Sequence, residues 1–174
     1  MTTARDLRRN LEKPTSFYLY ENVIDNQHRF ISDLYLNGQV IILVMVGKNF
    51  GHWCCVKADF DSKVIYYFSS FGTIPDYDKE EYVPVSTNDK FRQRMNALSK
   101  ILKNYFMLDL GFDVRYNHIR YQNPTDPTDR NCGKWCVLFL NFDGDEITFH
   151  KIILKHCLSA HLSYKEFIES IEWK

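Results

Sequence analysis

The run Val40-Ile41-Ile42-Leu43-Val44-Met45-Val46 is apolar at every position and largely β-branched. Seven residues fall far short of the ~20 that cross a bilayer as a helix, and β-branched side chains suit a strand. A strand that is apolar throughout reads as buried, with helices packed against its sheet. The rest of the chain arranges itself around that requirement.

Before the run, residues 25–36 carry helix-like spacing in Phe30, Leu34 and Tyr35, and Gly38 breaks it. After it, a turn at Lys48-Asn49 leads to a second strand at 52–58. The polar stretch 59–62 turns the chain, and Val64-Ile65-Tyr66-Tyr67-Phe68 completes an antiparallel pair. Three adjacent strands thus put His52 at the start of the second. Residues 2–12 suit a short helix ending before Pro14. The stretch 73–89, with Pro75 and Pro84, suits a long surface connection. Met95, Leu98, Ile101, Leu102 and Tyr105 share a helical face over 90–106. Residues 112–121 alternate as a strand, with Val114, Tyr116, His118 and Arg120 on one side, and 123–130 form a loop. Residues 132–142 are apolar on nearly every face, as in a central buried helix. Ser163 and Glu166 make a capping box for a last helix over 164–173. The expectation is an α+β fold, one mixed central sheet flanked by helices, in a single domain spanning 1–174.

Twenty-two basic and 22 acidic residues cancel, so no overall field draws the chain to nucleic acid or membrane. The local patch of Arg5, Arg8 and Arg9 reads as a solvated helix face. The first twenty residues lack an apolar signal-peptide core, and five cysteines is an odd number. A non-secreted protein in a reducing compartment is expected, with no disulfide framework and no membrane partner.

Two segments about eighty residues apart carry chemistry: Gly51-His52-Trp53, and Gln122 through Asn131-Cys132-Gly133. Asn131 suits a helix N-cap, which places Cys132 in the first turn of the buried helix, where N–H groups and the helix dipole favour a thiolate. His52 can serve as general base, Cys132 as nucleophile, and the Gln122 amide as donor to an oxyanion. Gly51, Trp53, Asn131 and Gly133 are the expected substrate-contacting positions, with Gly133 letting a substrate backbone come close. Each residue also has an ordinary reading: a buried inert cysteine, a hydrogen-bonded structural histidine, a core tryptophan, an exposed glutamine. Cys136, one turn inside the helix, fits the inert reading better than Cys132. Zinc ligation by His52, Cys54, Cys55, Cys132 and Cys136 lacks the paired spacing such sites use, and Cys54 and Cys55 point to opposite faces of a strand. No metal and no cofactor is expected.

Gly51-His52-Trp53, the hairpin ending Tyr66-Tyr67-Phe68-Ser69-Ser70-Phe71-Gly72, Gln122, and the run from Asn131-Cys132-Gly133 to Leu140 together resemble the adenain-like cysteine proteases. These comprise the adenovirus maturation protease and relatives in large DNA viruses and virophages, and they share a clan with the ubiquitin-like-protein-specific proteases. The likeness spans roughly residues 40 to 142. It implies a papain-like cysteine protease fold of the adenain/ubiquitin-like-protease type, with the nucleophile at the start of a buried helix. It also implies cleavage of virion precursor polypeptides, at sites containing glycine, by Cys132 with His52 as base and Gln122 in the oxyanion hole. The place of action implied is the host cytoplasm or virus factory, with packaging in the virion; an activating peptide or DNA is left open as a partner. The family has an acidic residue or Asn where this chain has Ser69, so the expectation is that the Ser69 hydroxyl takes the third position and accepts a hydrogen bond from His52. A deubiquitinase or deSUMOylase of the same clan, and an inactive protease-derived virion scaffold, are the alternatives.

Overall fold

The computed structural model describes residues 2–47, 50–76 and 97–174. In chain order these form α1 (Ala4–Asn10), β1 (Ser16–Leu19), α2 (Tyr20–Asp25), α3 (Gln27–Asn37), β2 (Gln39–Gly47), β3 (Phe50–Asp59), β4 (Val64–Ser69), β5 (Asp113–Tyr116), α5 (Cys132–Asn141), α6 (Glu146–Ala160) and α7 (Tyr164–Ser170). Between β4 and β5 lies α4, whose first turn, Ala97–Lys100, runs on into the π-helical Ile101–Asp109.

The strands form one mixed sheet in the order β1-β2-β3-β4-β5. The central pairs β2/β3 and β3/β4 are antiparallel, and the outer pairs β1/β2 and β4/β5 are parallel. The apolar run explains itself in β2, because successive side chains enter different cores. Val40, Ile42 and Val44 pack with Tyr18, Phe30, Leu34, Leu102 and Phe106 on the face covered by α2, α3 and α4. Ile41 packs with Trp53, Phe68, Trp135 and Phe139 on the face covered by α1, α5, α6 and α7. Each aliphatic side chain so enclosed contributes roughly 1.5–3 kcal/mol, and a polar residue at any of these positions faces a helix layer rather than water.

Local signals set the boundaries. Gly38 ends α3 in the left-handed region at φ 70°, with its N–H on the Leu34 carbonyl at 2.8 Å. Thr3 with Asp6, and Ser163 with Glu166, form capping boxes at α1 and α7.

Several expectations need correction. The strand expected over 112–121 stops at Tyr116. From there the Asn117 side chain takes over from the ladder: its Nδ2 donates to the Ser69 carbonyl at 2.7 Å, while its Oδ1 accepts from the Ile119 N–H at 2.9 Å and turns the chain. The helix expected over 25–36 is α3, which begins at Gln27; a separate short helix that the sequence reading lacked, α2, precedes it and meets it at Asn26. The long helix α6 had no counterpart in the sequence reading. Asp145 caps it by accepting from the Thr148 N–H at 2.6 Å. Within the stretch expected as a surface connection, Pro75 and Asp76 are buried. The turn at Lys48-Asn49, residues 77–89 of the connection and residues 90–96 of the expected helix, with Met95, lie outside the described residues. No helix among the described residues is long and apolar enough to cross a membrane.

Candidate functional site

The site is built from the end of β4, the start of β3, the tip of α5 and the irregular chain that leads to it. Cys132 is the first residue of α5 and is 9% exposed. Burial pushes its thiol up to about 11, although the backbone N–H groups of Trp53, Gly133 and Cys132 itself face the sulfur and act the other way. The sequence expectation of a dipole-favoured thiolate is therefore outweighed by desolvation. One turn on, Cys136 is fully buried and donates to the Trp53 carbonyl at 3.3 Å. The two α5 cysteines thus bracket the backbone of Trp53, the residue after His52, the first at its N–H and the second at its carbonyl.

His52 is 0% exposed, and burial lowers it to about 3, so the ring is neutral throughout the physiological range. It stacks on Phe71 at 3.8 Å between ring centroids, 13° from parallel. Its Nε2 lies 3.0 Å from Ser69 Oγ. The register pairs Ser69 with Cys54, so Ser69 and His52 are diagonal neighbours on one face of the sheet. Ser69 Oγ also accepts from the Phe71 N–H at 3.3 Å and from the Thr73 hydroxyl at 2.9 Å.

Gln122 is 3% exposed and ties two parts of the site together. Its Oε1 accepts from the Ser70 hydroxyl at 2.8 Å, and its Nε2 donates to the Asp129 carbonyl, just ahead of Cys132. The Ser70 carbonyl in turn receives the N–H groups of Tyr121 and Gln122. Asn131 holds the N-cap position, but its side chain caps nothing: its Nδ2 donates to Asp129 at 2.9 Å and to Glu169 at 3.3 Å.

The glycines are explained by packing. A Cβ on Gly133 would stand 2.9 Å from Leu7 Cδ2 and 3.1 Å from Trp53 Cδ1. One on Gly51 would stand 2.7 Å from Leu43 Cδ1. Trp53 is 5% exposed, lies in the core beside Cys132 and Leu7, and donates its indole N–H to the Thr2 carbonyl at 3.2 Å. Gly133, Gly51 and Trp53 therefore meet side chains and backbone of this chain where the sequence reading placed a substrate.

Sequence reasoning gave no role to Ser70, Phe71, Thr73 or Asp129, the residues that hold Gln122, His52 and Ser69. For the first three the signal was contiguity: residues 70–73 follow β4 directly, and Gly72, at φ 70°, sits where a Cβ would come within 2.9 Å of the Ile119 backbone. That glycine lets the turn after β4 press against residues 118–119. All five cysteines are buried thiols. Cys54 and Cys55 join opposite cores, and among the described residues no cluster of three or more His, Cys, Asp or Glu is placed to hold a metal ion.

No family model matches the chain. Among solved structures, the SUMO protease Ulp1 with its catalytic cysteine oxidized to a sulfenic acid aligns at TM-score 0.30 and 16% identity, over 86% of this chain and 58% of that one. This chain thus spans little more than half of that protease, and a likeness so low establishes neither a shared fold nor a shared activity. The "Uncharacterized protein V9" of Sputnik virophage is 32% identical over 136 residues, which cover 78% of this chain and 72% of that protein. With that identity over that share of both sequences, the chain belongs to the family of the virophage protein V9.

Proposed function

We propose that this chain is a cysteine peptidase with a papain-like fold of the adenain type, cutting virion precursor proteins at sites containing glycine. The observation that carries the reading is the placement of Cys132: first residue of a buried helix, sulfur against the Trp53 N–H, with His52 the preceding residue and bonded to Ser69. In this mechanism Sγ of Cys132 attacks the scissile carbonyl carbon, and its proton passes to His52. With Nε2 turned toward Ser69, that proton goes to Nδ1. The imidazolium then gives it to the departing amine, leaving a thioester that water hydrolyses with His52 again as base. The second Nε2 hydrogen of Gln122 and the Cys132 N–H are the donors for the oxyanion.

The neutral, buried state of both His52 and Cys132 favours a second reading, an inactive protease-derived virion scaffold. A thiol-directed vinyl-sulfone probe followed by peptide mass spectrometry separates the two. Labelling at Cys132, lost in a folded Cys132→Ser variant and kept in Cys136→Ser, supports the peptidase. Labelling at Cys136 instead, or none at Cys132, overturns it. Incubation with virion proteins of the source and, in parallel, with ubiquitin-like fusions distinguishes virion processing from a deubiquitinase or deSUMOylase activity.

A further inference from the structure

A cleft of about 890 Å³ opens between the β3–β4 hairpin, the connection from α5 to α6 and the chain ahead of β1. Both β3 and α5 run from the candidate site toward it. Asp59, on its wall, follows His52 by seven residues, roughly 23 Å along an extended strand. The cleft is therefore separate from the Cys132 thiol. Five carboxylates line it, Glu12, Asp59, Asp61, Asp143 and Asp145, against the two ammonium groups of Lys13 and Lys57. Among the described residues none of the five is ion-paired. Lys57 is engaged by carbonyls, its Nζ donating to Phe142 at 2.8 Å and to Gly144 at 2.9 Å. A surplus of three negative charges faces the space. Tyr66 gives an independent sign of a ligand. It lines the same cleft and is only 7% exposed, yet among the described residues its hydroxyl has no hydrogen-bond partner. A phenol so enclosed ordinarily has one.

We propose that this cleft is a binding site for a linear aliphatic polyamine. The carboxylates do not converge: among the described residues no three His, Cys, Asp or Glu are placed to hold a metal ion. Such spacing suits positive charges set apart along one molecule rather than a single ion. Asp59 and Asp61 on the hairpin and Asp143 and Asp145 on the α5–α6 connection receive the ammonium groups, and the methylene runs between them lie on Phe60 and Phe142, which also line the cleft. The Tyr66 hydroxyl oxygen accepts an ammonium N–H. One exposed ion pair is worth little, but after the first ammonium binds, the others bind intramolecularly at a high effective concentration. Arg115, whose charge also reaches Tyr66, does not compete, because it is held by Asp113 at 2.7 Å. The proposal is independent of the peptidase reading.

The test is isothermal titration calorimetry of the full chain with spermidine at low salt, with Mg²⁺ and trilysine titrated in parallel. Saturable binding of one spermidine per chain is expected, weakening as salt is added. The double variant Asp61→Asn/Asp143→Asn changes two exposed positions and so leaves the fold intact; it should weaken binding about tenfold. Tyr66→Phe keeps the ring and should also cost about tenfold, the worth of a hydrogen bond to a charged group. Removing two charges outside the cleft, in Asp109→Asn/Glu172→Gln, should leave the affinity unchanged. Circular dichroism confirms that each variant is folded. Absence of saturable binding overturns the proposal, as does an affinity indifferent to either cleft variant or lowered equally by the control. Mg²⁺ or trilysine binding as tightly as spermidine overturns it too, because charge alone would then suffice.

Discussion

Alkylation of Cys132 should accelerate steadily with pH and show no plateau near neutrality. Burial raises the thiol to about 11 and lowers His52 to about 3. Transfer of the proton between them in the resting site is uphill by the eight pH units separating the two values, roughly 11 kcal/mol at about 1.36 kcal/mol each. Even for ions in contact, about 4 Å apart at an effective dielectric constant near 20, attraction would return only about 4 kcal/mol. The neutral pair therefore wins by several kcal/mol. At pH 7 only about one thiol in ten thousand is then ionised, against roughly one in a hundred for an unperturbed cysteine with its value near 9. Iodoacetamide reacts with the thiolate, so the rate constant at Cys132, followed by peptide mass spectrometry, should climb about tenfold per pH unit between 7 and 10. Restricted access lowers the absolute rate but leaves this slope alone. Cys136, fully buried in the same helix, is the internal control: labelling that proceeds through global unfolding would modify both residues equally. A Cys132 rate that is flat from pH 6 to 9 would mean a thiolate already formed at rest, and would refute the argument that desolvation outweighs the helix N–H groups.

Other expectations follow from single contacts. His52 has a lowered value when folded, about 3 against 6.5 unfolded; its contribution to stability is complete above pH 6.5 and is lost as pH falls toward 3, roughly 3 kcal/mol by pH 4. Urea midpoints of wild type and His52→Gln at pH 7, 5.5 and 4 should converge on acidification, and parallel curves would remove the effect. Gly133→Ala forces a Cβ against Leu7 and Trp53 and should destabilise the fold by about 1–3 kcal/mol; part of this should return in the Leu7→Ala background. Unchanged stability of Gly133→Ala with a loss in kcat/KM would assign the glycine to substrate instead. Ser69→Asp puts an acceptor-only carboxylate against Nε2 and should raise the alkylation rate of Cys132 at pH 7 about tenfold or more, with an unchanged rate excluding Ser69 from control of the ring.

Much of this architecture could be read along the chain because adjacent residues encode it. The run at 40–46 needed a helix layer on each side and has one. The capping residues Ser163 and Glu166 fixed where α7 begins, and Cys132 does open a helix. What escaped the reading depends on tertiary contacts. In α6, Ile147, Ile152, Leu154 and Leu158 are all substantially exposed, which blurs the 3.6-residue period by which a helix is recognised. The ladder beyond Tyr116 fails because Asn117 replaces it with side-chain bonds to Ser69 and Ile119, a choice that alternation in the sequence does not register. Leu7 reaches Gly133 across 126 positions, so the reason for that glycine lies in a contact no local pattern contains. The protonation of Cys132 was misjudged for a similar cause: its helix position is local, but the depth of its burial is not.

Ser69 and the enclosure of His52 belong to one physical choice. From Thr73 through Ser69 to His52, and on to the thiol of Cys132, the resting groups are uncharged, and neutral hydrogen-bonded groups can be enclosed at little cost. That is how an imidazole can lie at 0% exposure under Phe71. A carboxylate at position 69 would hold the ring proton on Nε2 and stabilise an imidazolium, but it would carry a charge into a place where Ser69 is itself fully buried. Charge burial costs several kcal/mol unless paired and hydrogen-bonded. The Phe71 N–H and the Thr73 hydroxyl already point at that position and would offset part of this. Reactivity and stability are therefore opposed at Ser69. The Ser69→Asp variant should gain in Cys132 alkylation and lose in urea midpoint, most steeply where His52 is neutral and the new carboxylate stands without a cation. A variant that gained reactivity at no cost in stability would show that the site is more open to water than the enclosure of His52 implies.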